Sequence, residues 1–205
     1  MVVELFLETT MQIKVIGALT EGPEFAIGVR TSQGFQMPWQ AAGVNLPTDF
    51  AWFKKKTKPE KEGEVCALAM GWNTWVSLNQ RPLPGRRHYV ITRTPSKWNH
   101  SAENMNAAFA LPDLASVIDA AQMTEVDKLF VIGGPTLWLE AVPMADEVLL
   151  TIVHHHFEYD GETIYCKEIL DEVTQLFPPP EIFPEVEKTS LGPIDLEFFV
   201  WKRGG

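Results

Sequence analysis

The sequence predicts a single α/β domain whose mostly parallel central sheet has an antiparallel C-terminal edge and flanking helices. Short apolar runs of strand length alternate with helical stretches, which is typical of parallel strands joined by crossover helices. The last part of the chain instead combines an Asp160-Gly161 turn signal within 157–165 with a final apolar run at 195–202, which indicates antiparallel strands. A chain of 205 residues can bury one hydrophobic core of its own.

Each predicted element follows from local composition. The predicted strands are 13–19, 65–70, 88–92, 129–132 and 148–153. The predicted helices are 47–57, 73–78, 111–121 and 136–141. The proline-rich segment 177–193 is predicted to be a stiff loop, because proline fixes the backbone and lacks an amide donor. Residues 1–10 are predicted to be an N-terminal extension to one domain of residues 11–205.

Composition and charge exclude several classes of protein. Hydrophobic residues make up 45% of the chain, yet no apolar run approaches the roughly 20 residues that span a membrane. Glu4 and Glu8 argue against a signal peptide, so we expect a cytoplasmic protein without a membrane partner. The net charge of −10 argues against a nucleic-acid partner, whose phosphates favour basic surfaces. Cys66 and Cys166 fit neither a disulfide framework nor a metal site, so we expect reduced thiols.

One helix start combines features of a catalytic site. Pro47 suits the first helical position, and Asp49 in the first turn complements the positive end of the helix. Phe53 follows Asp49 by four residues, so a carboxylate and an aromatic ring share a face that could hold a flat heterocycle. Desolvation in such surroundings raises the pKa of a carboxyl group towards the range useful for proton transfer. By spacing alone, a purely structural charge at the helix start is the more common explanation of Asp49.

Several motifs in a fixed order reveal a resemblance to a known family. They are Met37-Pro38-Trp39 followed by Asp49, Gly71-Trp72-Asn73-Thr74-Trp75, Arg81-Pro82-Leu83-Pro84-Gly85-Arg86, Val90-Ile91-Thr92-Arg93, Val131-Ile132-Gly133-Gly134 and Leu150-Thr151. Together they resemble the dihydrofolate reductases over residues 11–202. The resemblance implies the single-domain dihydrofolate-reductase-like fold. It also implies NADPH-dependent reduction of 7,8-dihydrofolate to tetrahydrofolate in one-carbon metabolism, with hydride transfer to C6 and protonation at N5.

The resemblance assigns a role to each of a set of residues. Asp49 is expected to bind the pterin with support from Thr151, and Met37 and Trp39 lie in the loop expected to close over the site. The residues expected to contact substrate are Phe50, Phe53, Leu78, Leu83 and Arg86. The residues expected to contact the cofactor are Ala18, Ile27, Thr74, Thr92, Arg93, Gly133, Gly134 and Thr136. The expected partners are dihydrofolate and antifolates, bound by a monomer.

Two residues in the cofactor half depart from the family's pattern. Trp72 stands where many relatives have an arginine near the cofactor phosphates. Pro135 replaces the third glycine of the glycine turn, as in some viral members, and removes one amide donor. Thr74, Thr92 and Arg93 remain on the side of the 2′-phosphate, so NADPH is expected rather than NADH.

Three alternatives stay open from the sequence. His154 and His156 share one face of a strand and could bind a metal, but no third ligand is suggested, so we expect none. A related reductase of the same fold acts on a ribosylated pyrimidine of riboflavin synthesis and lacks the pterin acid. A protein that binds folate or a nucleotide without catalysis would fit the changes at Trp72 and Pro135.

Overall fold

Strands and helices alternate along the part of the chain that the structure, a computed structural model, describes: residues 11–22, 24–98 and 108–204. The strands are β1 (Gln12–Thr20), β2 (Ala26–Thr31), β3 (Gly34–Gln36), β4 (Cys66–Gly71), β5 (Arg87–Ile91), β6 (Phe109–Leu111), β7 (Lys128–Val131), β8 (Glu147–His154), β9 (Glu162–Tyr165), β10 (Glu181–Thr189) and β11 (Gly192–Lys202). The helices are α1 (Pro38–Ala41), α2 (Pro47–Thr57), α3 (Trp72–Ser77), α4 (Pro95–Trp98), α5 (Leu114–Met123), α6 (Pro135–Ala141) and α7 (Glu168–Leu176). The expected extension 1–10 lies outside the described residues.

One mixed sheet runs in the order β10-β11-β8-β1-β7-β4-β5-β6. Neighbouring strands from β8 to β6 are parallel. At the other end, β11 pairs antiparallel with both β8 and β10. A second antiparallel group forms around β2, which pairs with β1, β3 and β9. The predicted mostly parallel sheet with an antiparallel C-terminal edge and flanking helices is confirmed.

The core is split between the two faces of this sheet because successive strand residues point in opposite directions. On β4, Ala67 and Ala69 pack with α5, α6 and α7 on one face. Cys66, Leu68 and Met70 point the other way, towards Trp75 of α3 and the apolar side of α2. Both faces of the central strands are therefore buried, which explains why their sequences are continuous apolar runs.

The prediction of a stiff loop over 177–193 is wrong, because β10 occupies most of that segment. It pairs with β11 from Glu181 opposite Val200 to Thr189 opposite Gly192. Pro184 is tolerated there because β10 lies at the edge of the sheet, where one side of the strand needs no amide donor.

The predicted helix 111–121 begins later than expected. Leu111 still belongs to β6, and α5 starts after Asp113, whose side chain accepts a hydrogen bond from the Ser116 amide at 2.8 Å. The five predicted central strands and the other predicted helices lie within a residue or two of the observed bounds, whereas β11 begins three residues before the predicted 195. The elements that were not predicted include α1, α4, α7, β2, β3 and β6. Within the described ranges, no helix is long and apolar enough to cross a membrane.

Candidate active site

A cavity of about 1480 Å³ lies across the ends of the central strands. Strand residues such as Ile16, Ala18 and Thr151 form its floor, while α2, α3 and α6 supply its walls. Ala18 and Thr151 are directly opposite each other in the pairing of β1 with β8. This volume exceeds the roughly 300 to 1,000 Å³ that is usual for the site of one small molecule.

Asp49 lines the cavity in the first turn of α2. The amide of Thr48 in that turn donates to Oε2 of Glu187 at 2.8 Å, so a carboxylate from β10 already partners one of the free amides at the helix start. Asp49 instead hydrogen-bonds the side chain of Thr151. Burial raises the pKa of Asp49 from 3.8 to about 6, although this hydrogen bond opposes the change. The carboxyl group therefore serves the cavity rather than the helix.

The walls around Asp49 are apolar and aromatic. Phe50 and Phe53 extend from α2, and Leu78 and Leu83 face them across the cavity. Phe50 remains 57% exposed, as expected for a side chain at the rim of an open site. Such walls suit a flat, partly apolar ligand that extends outwards from the carboxyl group.

The opposite wall comes from β2 and the segment that follows it. Ile27, Met37 and Trp39 line the cavity beside Ala18. Met37 precedes the short helix α1, in which Trp39 is buried, and β2 is itself held between β3 and β9. The loop expected to close over the site is therefore attached to a small antiparallel sheet in this structure.

Gly133 and Gly134 line the cavity where β7 ends and α6 begins. Gly133 has a φ of 131°, a conformation that residues with a side chain rarely adopt. Thr74 and Thr136 line the cavity beside this turn, and a Cβ added to Gly133 would lie 3.4 Å from Oγ1 of Thr74. The turn thus lets main chain approach a ligand closely.

Trp138 of α6 is buried beside the same turn and lines the cavity. Its indole packs directly over Gly17 of β1, so closely that a Cβ added there would lie 2.0 Å from Cζ2. Its Nε1 is buried and has no hydrogen-bond partner among the described residues. A donor left unpaired at a cavity wall is a candidate contact for a ligand acceptor.

The far end of the cavity is cationic. Thr92 and Arg93 follow β5, and Lys97 of α4 joins them in the lining. No ion pair of Arg93 or Lys97 occurs within the described part of the chain, so both charges are available to a ligand anion. Trp72 lies beside them, 38% exposed and edge-on to Trp98 with 5.3 Å between ring centroids.

Arg86 does not line the cavity in this structure. Its Nη1 donates to Oγ1 of Thr57 at 2.7 Å, at the C-terminal end of α2. Its Nε is buried without a hydrogen-bond partner among the described residues. The guanidinium is therefore held near the end of the apolar wall with donor capacity to spare.

His154, one of the two candidate metal ligands, is paired with two carboxylates. Nδ1 of His154 lies 3.3 Å from Glu21, and its Nε2 lies 2.9 Å from Glu197. Within the residues described, no three histidine, cysteine or acidic side chains are grouped as metal ligands would be. Cys66 and Cys166 are both buried free thiols.

Comparison with known proteins decides the family. A protein-family model described as dihydrofolate reductase matches residues 13–173 of this chain. This chain belongs to the dihydrofolate reductase family. A dihydrofolate reductase of Neisseria meningitidis serogroup A is 32% identical over 156 residues, which cover 74% of this chain and 78% of that relative.

Two further similarities are to a longer relative and to a solved structure. A bifunctional dihydrofolate reductase-thymidylate synthase of Glycine max is 34% identical over 131 residues, or 61% of this chain. The chain spans only 24% of that relative's length. A solved structure of dihydrofolate reductase from Enterococcus faecalis, complexed with NADP(H) and RAB-propyl, has a TM-score of 0.68 and 22% identity. The alignment covers 95% of this chain and 97% of the chain from Enterococcus faecalis, so the two proteins share the dihydrofolate reductase fold.

The cavity brings together sixteen of the residues that the family resemblance singled out, leaving Arg86 outside. It also contains residues that the sequence did not suggest, among them Trp52, Lys97 and Ile164. Trp52 shares α2 with Phe53 and stacks on Phe198 of β11, with 4.4 Å between ring centroids. Its position next to the motif was a usable signal, whereas Ile164 reaches the cavity only through the pairing of β9 with β2.

Proposed function

We propose that this chain catalyses the NADPH-dependent reduction of 7,8-dihydrofolate to tetrahydrofolate, the reaction that supplies reduced folate for one-carbon and thymidylate metabolism. The observation that carries the proposal is Asp49, a half-buried carboxyl group with its pKa raised to about 6, in the lining of an apolar cavity. Membership of the dihydrofolate reductase family supports the same substrate.

Asp49 orients the pterin. Its carboxyl group faces the 2-amino group and adjacent ring nitrogen of the pterin, and Thr151 holds the carboxyl group through their hydrogen bond. A proton reaches N5 through water while C6 receives the hydride. The aromatic walls at Phe50, Phe53 and Trp39 exclude bulk water from the reacting atoms.

The cofactor half of the cavity fits NADPH by the chemistry of its donors. When bound, NADPH supplies the hydride. Gly133 and Gly134 give close main-chain approach for a diphosphate, and Nε1 of Trp138, which has no partner among the described residues, is a donor beside them. Arg93 and Lys97 provide positive charge for a 2′-phosphate at the far end.

Arg86 binds the α-carboxylate of the substrate's glutamyl group. Its position beyond the apolar wall, with Nε unpaired among the described residues, leaves donors for a carboxylate. The proposed catalytic unit is a monomer. Size-exclusion chromatography with light scattering checks that assignment.

The test is a steady-state assay that follows NADPH absorbance with 7,8-dihydrofolate as substrate. We expect turnover that methotrexate inhibits, and a much lower kcat/KM with NADH than with NADPH. Binding of methotrexate without NADPH oxidation would instead support a folate-binding protein without catalysis. Turnover of the ribosylated pyrimidine of riboflavin synthesis, but not of dihydrofolate, would support the related reductase.

A further inference from the structure

The loop 81–86 carries two of the residues assigned to substrate, Leu83 and Arg86. His88 binds this loop through hydrogen bonds to its main chain. His88 lies on β5 and is only 3% exposed. The main-chain amide of Leu83 donates to Nε2 of His88 at 2.9 Å. The same ring also hydrogen-bonds the backbone of Arg86. One imidazole therefore holds the loop at both of its functional positions.

The protonation state of the ring follows from its surroundings. Burial lowers the pKa of His88 to about 4, and the positive charge of Arg86 lowers it too, while the hydrogen bond with the Arg86 backbone opposes the change. A neutral imidazole has one donor and one acceptor nitrogen. Since Nε2 accepts from Leu83, the proton lies on Nδ1, which is left to donate to the Arg86 carbonyl. Both nitrogens are thus committed to the loop.

The ring is also locked in place by packing. The indole of Trp75, fully buried in α3, lies 6.0 Å from the imidazole between ring centroids. Arg86 is fixed from its other end, because its Nη1 donates to Oγ1 of Thr57, whose hydroxyl donates in turn to the Phe53 carbonyl at 2.8 Å. The loop is therefore held between β5 and α2, with Leu83 facing the cavity.

We propose that His88 is a positioning residue for the aminobenzoylglutamate part of the substrate: it holds Leu83 against the aminobenzoyl ring and Arg86 at the α-carboxylate. The inference rests on the proposed function. His88 itself does not line the cavity, so it acts only through the loop. Loss of Nε2 would leave the Leu83 amide without its acceptor, and the loop would move to find another.

Three substitutions separate the two contacts. His88→Leu removes both, His88→Gln places an amide oxygen near the position of Nε2, and His88→Asn places an amide near the position of Nδ1. Each variant is assayed with 7,8-dihydrofolate and with 6-methyl-7,8-dihydropterin, which has the pterin but no aminobenzoylglutamate. Tyr89→Phe is the matched control, because Tyr89 is also buried on β5 but hydrogen-bonds Thr124 away from the cavity.

For His88→Leu we expect KM for dihydrofolate to rise about tenfold, the size of one or two lost hydrogen bonds. The kinetics with the truncated pterin and the Kd for NADPH should change less than about twofold, and His88→Gln should recover part of the loss. Tyr89→Phe should match the parent with both substrates.

Other outcomes would overturn the inference. Equal losses with both pterin substrates would mean that His88 only supports the fold, and unchanged KM in all three variants would mean that the loop is held without it. If His88→Leu does not fold, the Gln and Asn variants decide between these results. A parent protein without dihydrofolate turnover would contradict the proposed function itself, whereas an active parent with unaffected variants would contradict the role of His88 alone.

Discussion

The indole of Trp138 occupies the space that a side chain at Gly17 would need. A Cβ added to Gly17 would lie 2.0 Å from Cζ2 and 2.4 Å from Cη2 of the ring. The two residues come from neighbouring layers, a central strand and the helix that follows the glycine turn. A larger residue at Gly17 would therefore need a change at Trp138, because cores are packed too densely to absorb an extra methyl group beside a fixed indole.

Gly17→Ala should therefore lower the free energy of unfolding by about 1 to 3 kcal/mol, the usual cost of overpacking. The double variant Gly17→Ala, Trp138→Tyr should recover part of this loss, because tyrosine is smaller than the indole. Urea unfolding of the single and double variants measures the coupling. Gly22→Ala is the control, since a Cβ there meets nothing within 4 Å. Additive losses would show that the two positions are independent.

Asp49→Asn should reduce turnover at neutral pH by at least about 10²-fold, the contribution typical of a general acid. In the parent, the rate of hydride transfer should fall as pH rises through about 6, because the carboxyl group loses its proton there. Stopped-flow measurement of NADPH oxidation between pH 5 and 8 follows this step. The Asn variant should lack the inflection. Turnover equal to that of the parent would remove Asp49 from the mechanism.

The same substitution should stabilise the protein. With the pKa of Asp49 raised from 3.8 to about 6, the folded chain binds more protons than the unfolded chain in this window, so stability falls as pH rises through it. Above pH 6 the ionised carboxylate costs up to about 3 kcal/mol. Thermal unfolding at pH 7.5 should therefore show a higher Tm for Asp49→Asn, with a smaller difference at pH 4. A lower Tm at pH 7.5 would contradict the assigned burial cost.

Arg93 and Lys97 should determine the preference for a 2′-phosphate. Each alanine substitution should weaken binding of adenosine 2′,5′-bisphosphate by about tenfold, because a charged hydrogen bond is lost. Binding of adenosine 5′-monophosphate should be unaffected, and calorimetry measures both. Lys188→Ala, on the exposed edge strand β10, controls for net charge. Equal weakening with both nucleotides would assign the two cations to the diphosphate instead.

The sequence predicted the fold where local pattern and burial agree. Continuous apolar runs such as 65–70 became central strands because both of their faces are covered. The prediction failed around Pro184, because the proline content of this segment suggested a loop. The segment forms a strand instead, since it pairs with β11 and lies at the edge of the sheet. α7 was not predicted, although Ile169 and Val173 are spaced by one helical turn and both are buried.

The candidate site was predictable only where motifs carried it. Asp49 and Thr151 were found through their motifs, although no spacing rule joins a helix start to a strand 102 residues further along. Lys97 and Trp52 needed the structure, because their cavity contacts depend on how α4 and α2 pack rather than on local sequence. The role of Glu187 at the start of α2 was likewise beyond sequence reasoning, since its partner amide at Thr48 is 139 residues away.

That contact between Glu187 and Thr48 has a consequence for biosynthesis. Translation runs from the N-terminus, so α2 leaves the ribosome long before the strand that supplies its N-terminal partner. The helix that presents Asp49 cannot acquire this contact until Glu187 has also emerged and β10 has paired with β11. Asp49 is therefore set in its final surroundings late, when nearly the whole sheet has been synthesised.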